Sequence, residues 1–193
     1  MGLDSVELIV EWEKFFKIDI PNLVAEEIRT VQNAVDSISA ILNIVDDQPL
    51  LRSKIFSRLQ EAISKSALTN VQINQSDRVC KIFQGNNHHT WQTISKQLDL
   101  EVPFPPPKPA DSFKTKIFST LGWLSDFKYD ELSFTQLTDA ICGKNYKTLI
   151  DAKAIRTKYE IYIALMGLTV HKLGIDPYEV SPNKTFVGDF GIS

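Results

Sequence analysis

Three histidines and two cysteines have the widest chemical repertoire in this 193-residue chain, and their spacing assigns them little to do. His88 and His89 follow Gly85-Asn86-Asn87 and read as a loop, while His171, Cys80 and Cys142 lie far from them and from one another. Zinc ligands come at short, regular spacings, so no metal site is expected. Two cysteines cannot make a disulfide framework, and reduced, buried thiols are the simpler reading. No GxGxxG, P-loop, HExxH or GxSxG stretch occurs, and no nucleophile–base set can be traced. The chain therefore reads as a protein that is not an enzyme, with no motif in residues 44–150 to suggest otherwise. Trp91, Trp123 and the Tyr159/Tyr162 pair read as core, the alternative being an exposed aromatic cluster for a ligand. Asp126, Asp130 and Glu131 read as surface acids.

Composition narrows the classes further. Hydrophobic residues make up 43% and charged residues 23%, ordinary values for a globular protein. With 21 basic and 24 acidic side chains the net charge is −3, which argues against binding nucleic acid through overall basic charge. No apolar run approaches the roughly 18 residues of a membrane span, so none is expected. Asp4, Glu7, Glu11 and Glu13 occupy the place where a signal peptide would be basic and then apolar, and Val6 stands where myristoylation needs Ser or Thr. The expected location is cytoplasmic.

These residues have to be positioned by helices. In 4–17, Leu8, Ile9, Trp12, Phe15 and Phe16 gather on one side, with Asp4 or Ser5 able to cap the start. Ile18-Asp19-Ile20-Pro21 breaks the period. Residues 24–43 hold a short and a longer helical piece, with Thr30 as the cap between them and Val31, Val35, Ile38 and Leu42 as the stripe of the second. A helix over about 48–66 carries Leu50, Leu51, Ile55, Leu59 and Ile63. The stretch 78–83 suits helix or strand, and Thr90 can cap a helix through Leu98. Four prolines between Pro103 and Pro107, with Pro109 beyond, make a stiff connector at 102–109; a spacer is the simpler reading, a ligand for an SH3-like module the other. Helices follow at about 111–126 and 134–143, the latter with a Ser133-x-x-Gln136 capping box. The clearest periodicity is in 151–173, through Ile155, Tyr159, Ile163, Met166, Val170 and Leu173, with Gly174 placed to end the helix. The tail from Asp176 reads as a long polar loop. No strand-rich region appears, and the fold reads as mostly α.

Two pieces of the chain resemble acyl carrier proteins, in reversed order. The tail VHKLGIDPYEVSPNKTFVGDFGI (170–192) resembles the end of that family's first helix and the loop after it, through Lys172-Leu173-Gly174-Ile175, Pro177, Glu179-Val180, Pro182, Phe186-Val187 and Asp189-Phe190-Gly191. The head DSVELIVEWEKFFKIDIP (4–21) resembles the second helix and its turn, and EEIRTVQNAVDSI (26–38) the third and fourth. Placed tail before head, they cover one carrier domain in circularly permuted order. The resemblance implies a four-helix acyl-carrier-like bundle built from residues 151–193 and 1–43, with 44–150 as a helical insertion or second subdomain. Neither half can bury its apolar stripe alone. The halves pair within one chain, or are exchanged between two as a domain-swapped homodimer.

The resemblance also implies a function: presenting or docking acyl groups for lipid or polyketide-type enzymes. In that family a serine at the start of helix two, inside Asp-Ser-Leu, carries 4′-phosphopantetheine, and a helix N-terminus suits the attached phosphate. Asp4-Ser5-Val6 matches locally and makes Ser5 the candidate attachment site. The register differs: the family's serine precedes Val-Glu-Leu by four residues, whereas Ser5 directly precedes Val6-Glu7-Leu8, leaving Gly2 at the serine position. Ser5 is then a cap residue in a carrier-like interaction module without an arm, and Ser193, aligned with the family's preceding Asp, is a further alternative. Asp4, Glu7 and Glu13 match the acidic positions through which such proteins meet basic docking surfaces of acyl-transfer or synthase enzymes; Lys14 and Phe15 replace acidic ones. The same acids could form an ordinary solvated face.

Overall fold

The structure, a computed structural model, describes residues 3–66, 72–83, 88–103 and 131–192. Among these residues there are nine α-helices and no strand: α1 Leu3–Phe16, α2 Asn22–Glu27, α3 Val31–Leu42, α4 Leu50–Lys65, α5 Val79–Ile82, α6 His88–Leu98, α7 Phe134–Lys144, α8 Tyr146–Leu149 and α9 Lys158–Leu173. A 3-10 turn follows at Pro177–Glu179. The protein is mostly helical, and no helix among the described residues is long and apolar enough to cross a membrane.

Helix α9 starts later than its periodicity predicts. The Thr157 hydroxyl accepts the Glu160 N–H at 3.2 Å and the Glu160 carboxylate accepts the Thr157 N–H at 3.1 Å, a capping box that sets the first turn. Residues 151–157 form turns instead, with the Asp151 carboxylate accepting the Lys153 N–H at 2.9 Å. The helix ends at Gly174 in the left-handed conformation, φ 67°, as expected. Its burial is not confined to a stripe: Tyr159 and every residue from Ile161 to Val170 are buried. A helix that is apolar all round must be covered all round, and α1, α3, α7 and α8 all pack against it.

The chain builds one arrangement twice. Helix α9 packs on α1 and α3; α4, also 16 residues long, packs on α6 and α7 in the same way. The starts of α3 and α7 are tied down by matching hydrogen bonds. At α3, Val31 and Gln32 donate to the carbonyls of Lys184 (3.0 Å) and Pro182 (2.8 Å), and Phe186 donates to Arg29 (3.0 Å) beside a Thr30–Thr185 bridge. At α7, Phe134 and Thr135 donate to Asp77 (3.0 Å) and Gln75 (2.9 Å), and Val79 donates to Leu132 (2.8 Å) beside an Arg78–Ser133 bridge. Each helix then closes its next N–H with the capping box expected for it, Thr30 with Asn33 and Ser133 with Gln136. All the first-turn donors that a helix leaves orphaned are thus met.

The ends of α1 and α6 correspond as well. Lys17 and Asp99 both take the left-handed conformation (φ 56° and 53°), and Ile18 and Leu100 donate back to Glu13 and Ser95, each at 3.3 Å. Buried Ile20 and Val102 follow, each before a proline, Pro21 and Pro103. One arrangement is therefore built from the tail 158–192 with the head 3–42, the other from α4, α6 and α7. In the structure of the single chain, head and tail pack together.

Several local expectations change. Asp4 and Ser5 lie inside the first turn of α1, so neither caps it. His88 and His89 open α6 rather than forming a loop, which places Thr90 within the helix and not at its cap. Residues 79–82 are helical, and Cys80 on this single turn faces outward, so only Cys142 is a buried thiol. In α4, Leu50 is exposed while Ile55, Leu59 and Ile63 are buried. The tail is less polar than it reads, because Tyr178, Val180, Phe186 and Ile192 are buried. The expected helix over 111–126, the connector beyond Pro103, and Gly2, Trp123, Asp126, Asp130 and Ser193 lie outside the described residues.

The units join where α7 crosses α9, and this crossing needs two glycines. A Cβ on Gly167 would collide with the Tyr146 ring and stand 2.5 Å from the Gly143 carbonyl oxygen, while one on Gly143 would stand 2.5 Å from the Met166 sulfur. Because a backbone carbonyl cannot rotate aside, Gly167→Ala should force the helices apart. The overpacking cost of about 1–3 kcal/mol exceeds the ~1 kcal/mol that alanine gains in helix propensity. A lowered midpoint in thermal or urea unfolding is the expected result.

Candidate functional site

The residues singled out for carrier chemistry sit on α1 and are partly occupied. Ser5 is half-buried in the first turn, where the helix dipole favours negative charge. Asp4 and Glu7 share a face at i, i+3. The Glu7 carboxylate receives Lys172 Nζ from α9 at 2.5 Å, which raises the lysine's pKa through that hydrogen bond. Glu13 lies around the helix from both, and its carboxylate accepts the Ile20 N–H at 2.8 Å, closing the turn after α1. The three acids therefore do not make one continuous patch, since Glu13 serves the fold and Glu7 is paired.

Beside Ser5 lies an apolar cavity of about 490 Å³, within the ~300–1,000 Å³ typical of small-molecule sites. Leu8, Trp12, Ala25, Ile28, Phe186 and Ile192 form its walls, drawn from α1, from α2 and the residue after it, and from the tail loop. Trp12 is 1% exposed, and its indole N–H has no acceptor among the described residues. Glu26 and Arg29 are the charged lining residues, both exposed, and no ion pair or hydrogen bond to either side chain occurs among the described residues. Sequence reasoning placed Trp12 in the core but could not place the cavity, whose walls come from both ends of the chain.

The tail wall is held by Asp189. Its carboxylate receives Lys184 Nζ at 2.8 Å, the Thr185 N–H at 2.8 Å and the Thr185 hydroxyl at 2.7 Å, and the Asp189 N–H returns to Thr185 Oγ1 at 3.1 Å. Lysine first, then the two threonine donors, hold this carboxyl well below its ordinary value.

A second polar cluster has only one signal in the sequence, an aspartate within the apolar run of α7. Arg52 of α4 makes a two-toothed pair with Asp139, Nε to Oδ1 at 2.7 Å and an Nη to Oδ2 at 2.9 Å. Tyr159 of α9 donates to Asp139 at 2.6 Å, and the guanidinium lies 4.7 Å from the Tyr159 ring centre. Burial pushes the Tyr159 hydroxyl up, and burial together with Asp139 pushes the Cys142 thiol up to about 12, so neither is a nucleophile at neutral pH. Both Asp139 oxygens and the Tyr159 hydroxyl are engaged within the cluster, which fastens the two units together.

Elsewhere, no group of three or more His, Cys, Asp or Glu among the described residues could hold a metal ion. His89 and His171 are exposed, as is Glu131. No protein-family model matches the chain, and no solved structure matches it.

Two predictions follow from the polar contacts. Asp139→Ala strands the Arg52 guanidinium, whose side chain is 23% exposed, and should cost ~2–3 kcal/mol, below the ~3–5 of a fully buried pair; Tyr159→Phe should cost ~1 kcal/mol. Denaturant melts of the two variants check the ranking. For Asp189, the folded pKa lies below its ordinary 3.8, so its contribution is complete above that pH and fades as the pH falls through the lowered value. Amide shifts of Thr185 should follow this acid titration and lose it in Asp189→Asn.

Proposed function

We propose that the protein is a carrier-like module with two acyl-carrier-like units, and that its split unit presents or docks acyl groups for lipid or polyketide-type enzymes. The observation that carries this reading is the duplication. The resemblance to acyl carrier proteins rests on the head and tail, taken in reversed order. The unit between them runs α4, loop, α6, α7 in the order which that family follows without permutation, and it repeats the same backbone hydrogen bonds. Ser5 is the candidate attachment site for 4′-phosphopantetheine; with Asp4 beside it, it sits at a helix start suited to phosphate. Partners would be acyl-transfer or synthase enzymes whose basic surfaces meet Asp4 and displace Lys172 from Glu7, an exposed pair that is cheap to open.

The second reading is an interaction module without an arm. The placement of Ser5 favours it: the side chain is half-buried within α1 and lines the cavity.

Co-expression with a broad-specificity phosphopantetheinyl transferase, followed by intact mass, separates the two. Under the first reading the wild type gains one phosphopantetheinyl group and Ser5→Ala gains none. An unmodified, folded wild type means that the module works by binding alone.

A further inference from the structure

We propose that the head, residues 3–42, is an exchangeable half. Two copies of the chain trade heads about a hinge at 43–49, so that each cavity beside Ser5 takes α1 and α2 from one chain and its tail loop from the other. Residue types leave open whether the halves pair within a chain or between chains; the packing distinguishes the half that can move from the half that cannot. The inference needs no arm at Ser5 and stands apart from the carrier reading.

Three observations carry it. First, the head is held almost entirely by the tail. Helices α1 and α3 pack on α9, Val31 and Gln32 donate to Lys184 and Pro182, and Phe186 donates to Arg29. Lys172 and Lys158 pair with Glu7 and Asp36, and the Trp12 and Phe186 rings stand 5.4 Å apart. Beyond the tail, Phe15 meets the Tyr146 ring at 5.5 Å. Second, the tail is fixed in the middle of the chain. Helix α9 crosses α7 at Gly143 and Gly167, Tyr159 donates to Asp139 at 2.6 Å, and the Tyr178 hydroxyl donates to the Pro103 carbonyl at 2.8 Å. A second copy therefore offers the same acceptor surface, and an exchanged head remakes the head–tail contacts without a new interface. Third, the connection suits a hinge. Asn43 and every residue from Val45 to Gln48 are exposed, and Asn43 turns the chain through the left-handed conformation, φ 56°. The backbone bond that ties this stretch to the tail is Lys158 N–H to the Asp46 carbonyl at 2.7 Å. Once it opens, residues 43–49 can extend to ~25 Å.

Loop closure is the opposing term. Across a short connection the chain's own tail is present at an effective concentration of order millimolar. The closed monomer therefore prevails in dilute solution, and exchange sets in when chains fold together near that concentration. A reciprocal trade closes the pair into a twofold dimer.

The test mixes equal amounts of unlabelled and 15N-labelled full chain in denaturant, refolds them at ~1 mM, and separates monomer from dimer by size. A carbodiimide then joins Lys172 Nζ to the Glu7 carboxylate, 2.5 Å apart, as an amide without a spacer, and the joined peptides are weighed. The expected result is a dimer in which about half of these links join a light to a heavy peptide, beside a monomer with no mixed links. Deleting Asp47 and Gln48, both exposed and outside the helices, shortens the hinge and should raise the dimer fraction at tenfold lower concentration. The wild-type mixing experiment stands whether or not the shortened chain folds. A chain that stays monomeric at ~1 mM would overturn the proposal, as would a dimer whose links all join peptides of one label, which is association through an outer face. Either failure leaves the mass experiment on Ser5 untouched, because that experiment reads attachment and this one reads which chain supplies the head.

Discussion

Helix α9 has no face to give to water. From Ile161 to Val170 every side chain is buried, so the helix can exist only where other elements surround it. This one requirement ties together parts of the chain that lie far apart in sequence: α1 and α3 from the head, α7 and α8 from the middle, and the turn after α9 itself. It also explains the two glycines at the α7–α9 crossing. A helix already covered on its other faces can accept one more neighbour only by close backbone approach, which Gly143 and Gly167 permit.

The second constraint is backbone satisfaction. A helix start leaves N–H groups without partners, and in this protein two such starts are met by the same device. A loop arriving from the preceding long helix lends two carbonyls, a one-residue bridge aligns it, and a capping box supplies the rest. The carbonyls at α3 come from the tail and those at α7 from the segment before α5, so the head of the chain depends on the tail as α7 depends on residues 75–77. The duplication is thus visible as a pattern of hydrogen bonds more than as a pattern of residue types.

Polar groups divide accordingly. Arg52, Asp139 and Tyr159 satisfy one another at the seam between the units, which makes them a fastening and removes them from chemistry. Asp189 does the same within the tail loop. Trp12 and Arg29 are the contrast: each borders the cavity with hydrogen-bonding capacity that the described residues leave unused, and both are contributed by the split unit.

Local features were legible in the sequence. The first helix, expected over 4–17, the caps at Thr30 and Ser133, the stop at Gly174, the stripe of α3 and the Ile55, Leu59 and Ile63 positions of α4 follow from short-range spacing and side-chain chemistry, which act within one turn. The repeat was not legible, because its shared features tolerate different residues: Lys17 and Asp99 both turn left-handed, Thr30 and Ser133 both cap, and the accepting carbonyls of Pro182 and Gln75 carry no side-chain signature. The start of α9 escaped for a related reason, since Ile155 continues the apolar period while Thr157 and Glu160 end it through hydrogen bonds. Ser5 could be named from its neighbours, but whether it stands free depends on residues from the other end of the chain. The cavity, the Lys172–Glu7 pair and the Arg52–Asp139–Tyr159 fastening were decided by tertiary structure alone, because each joins groups that only the packing around α9 brings within reach.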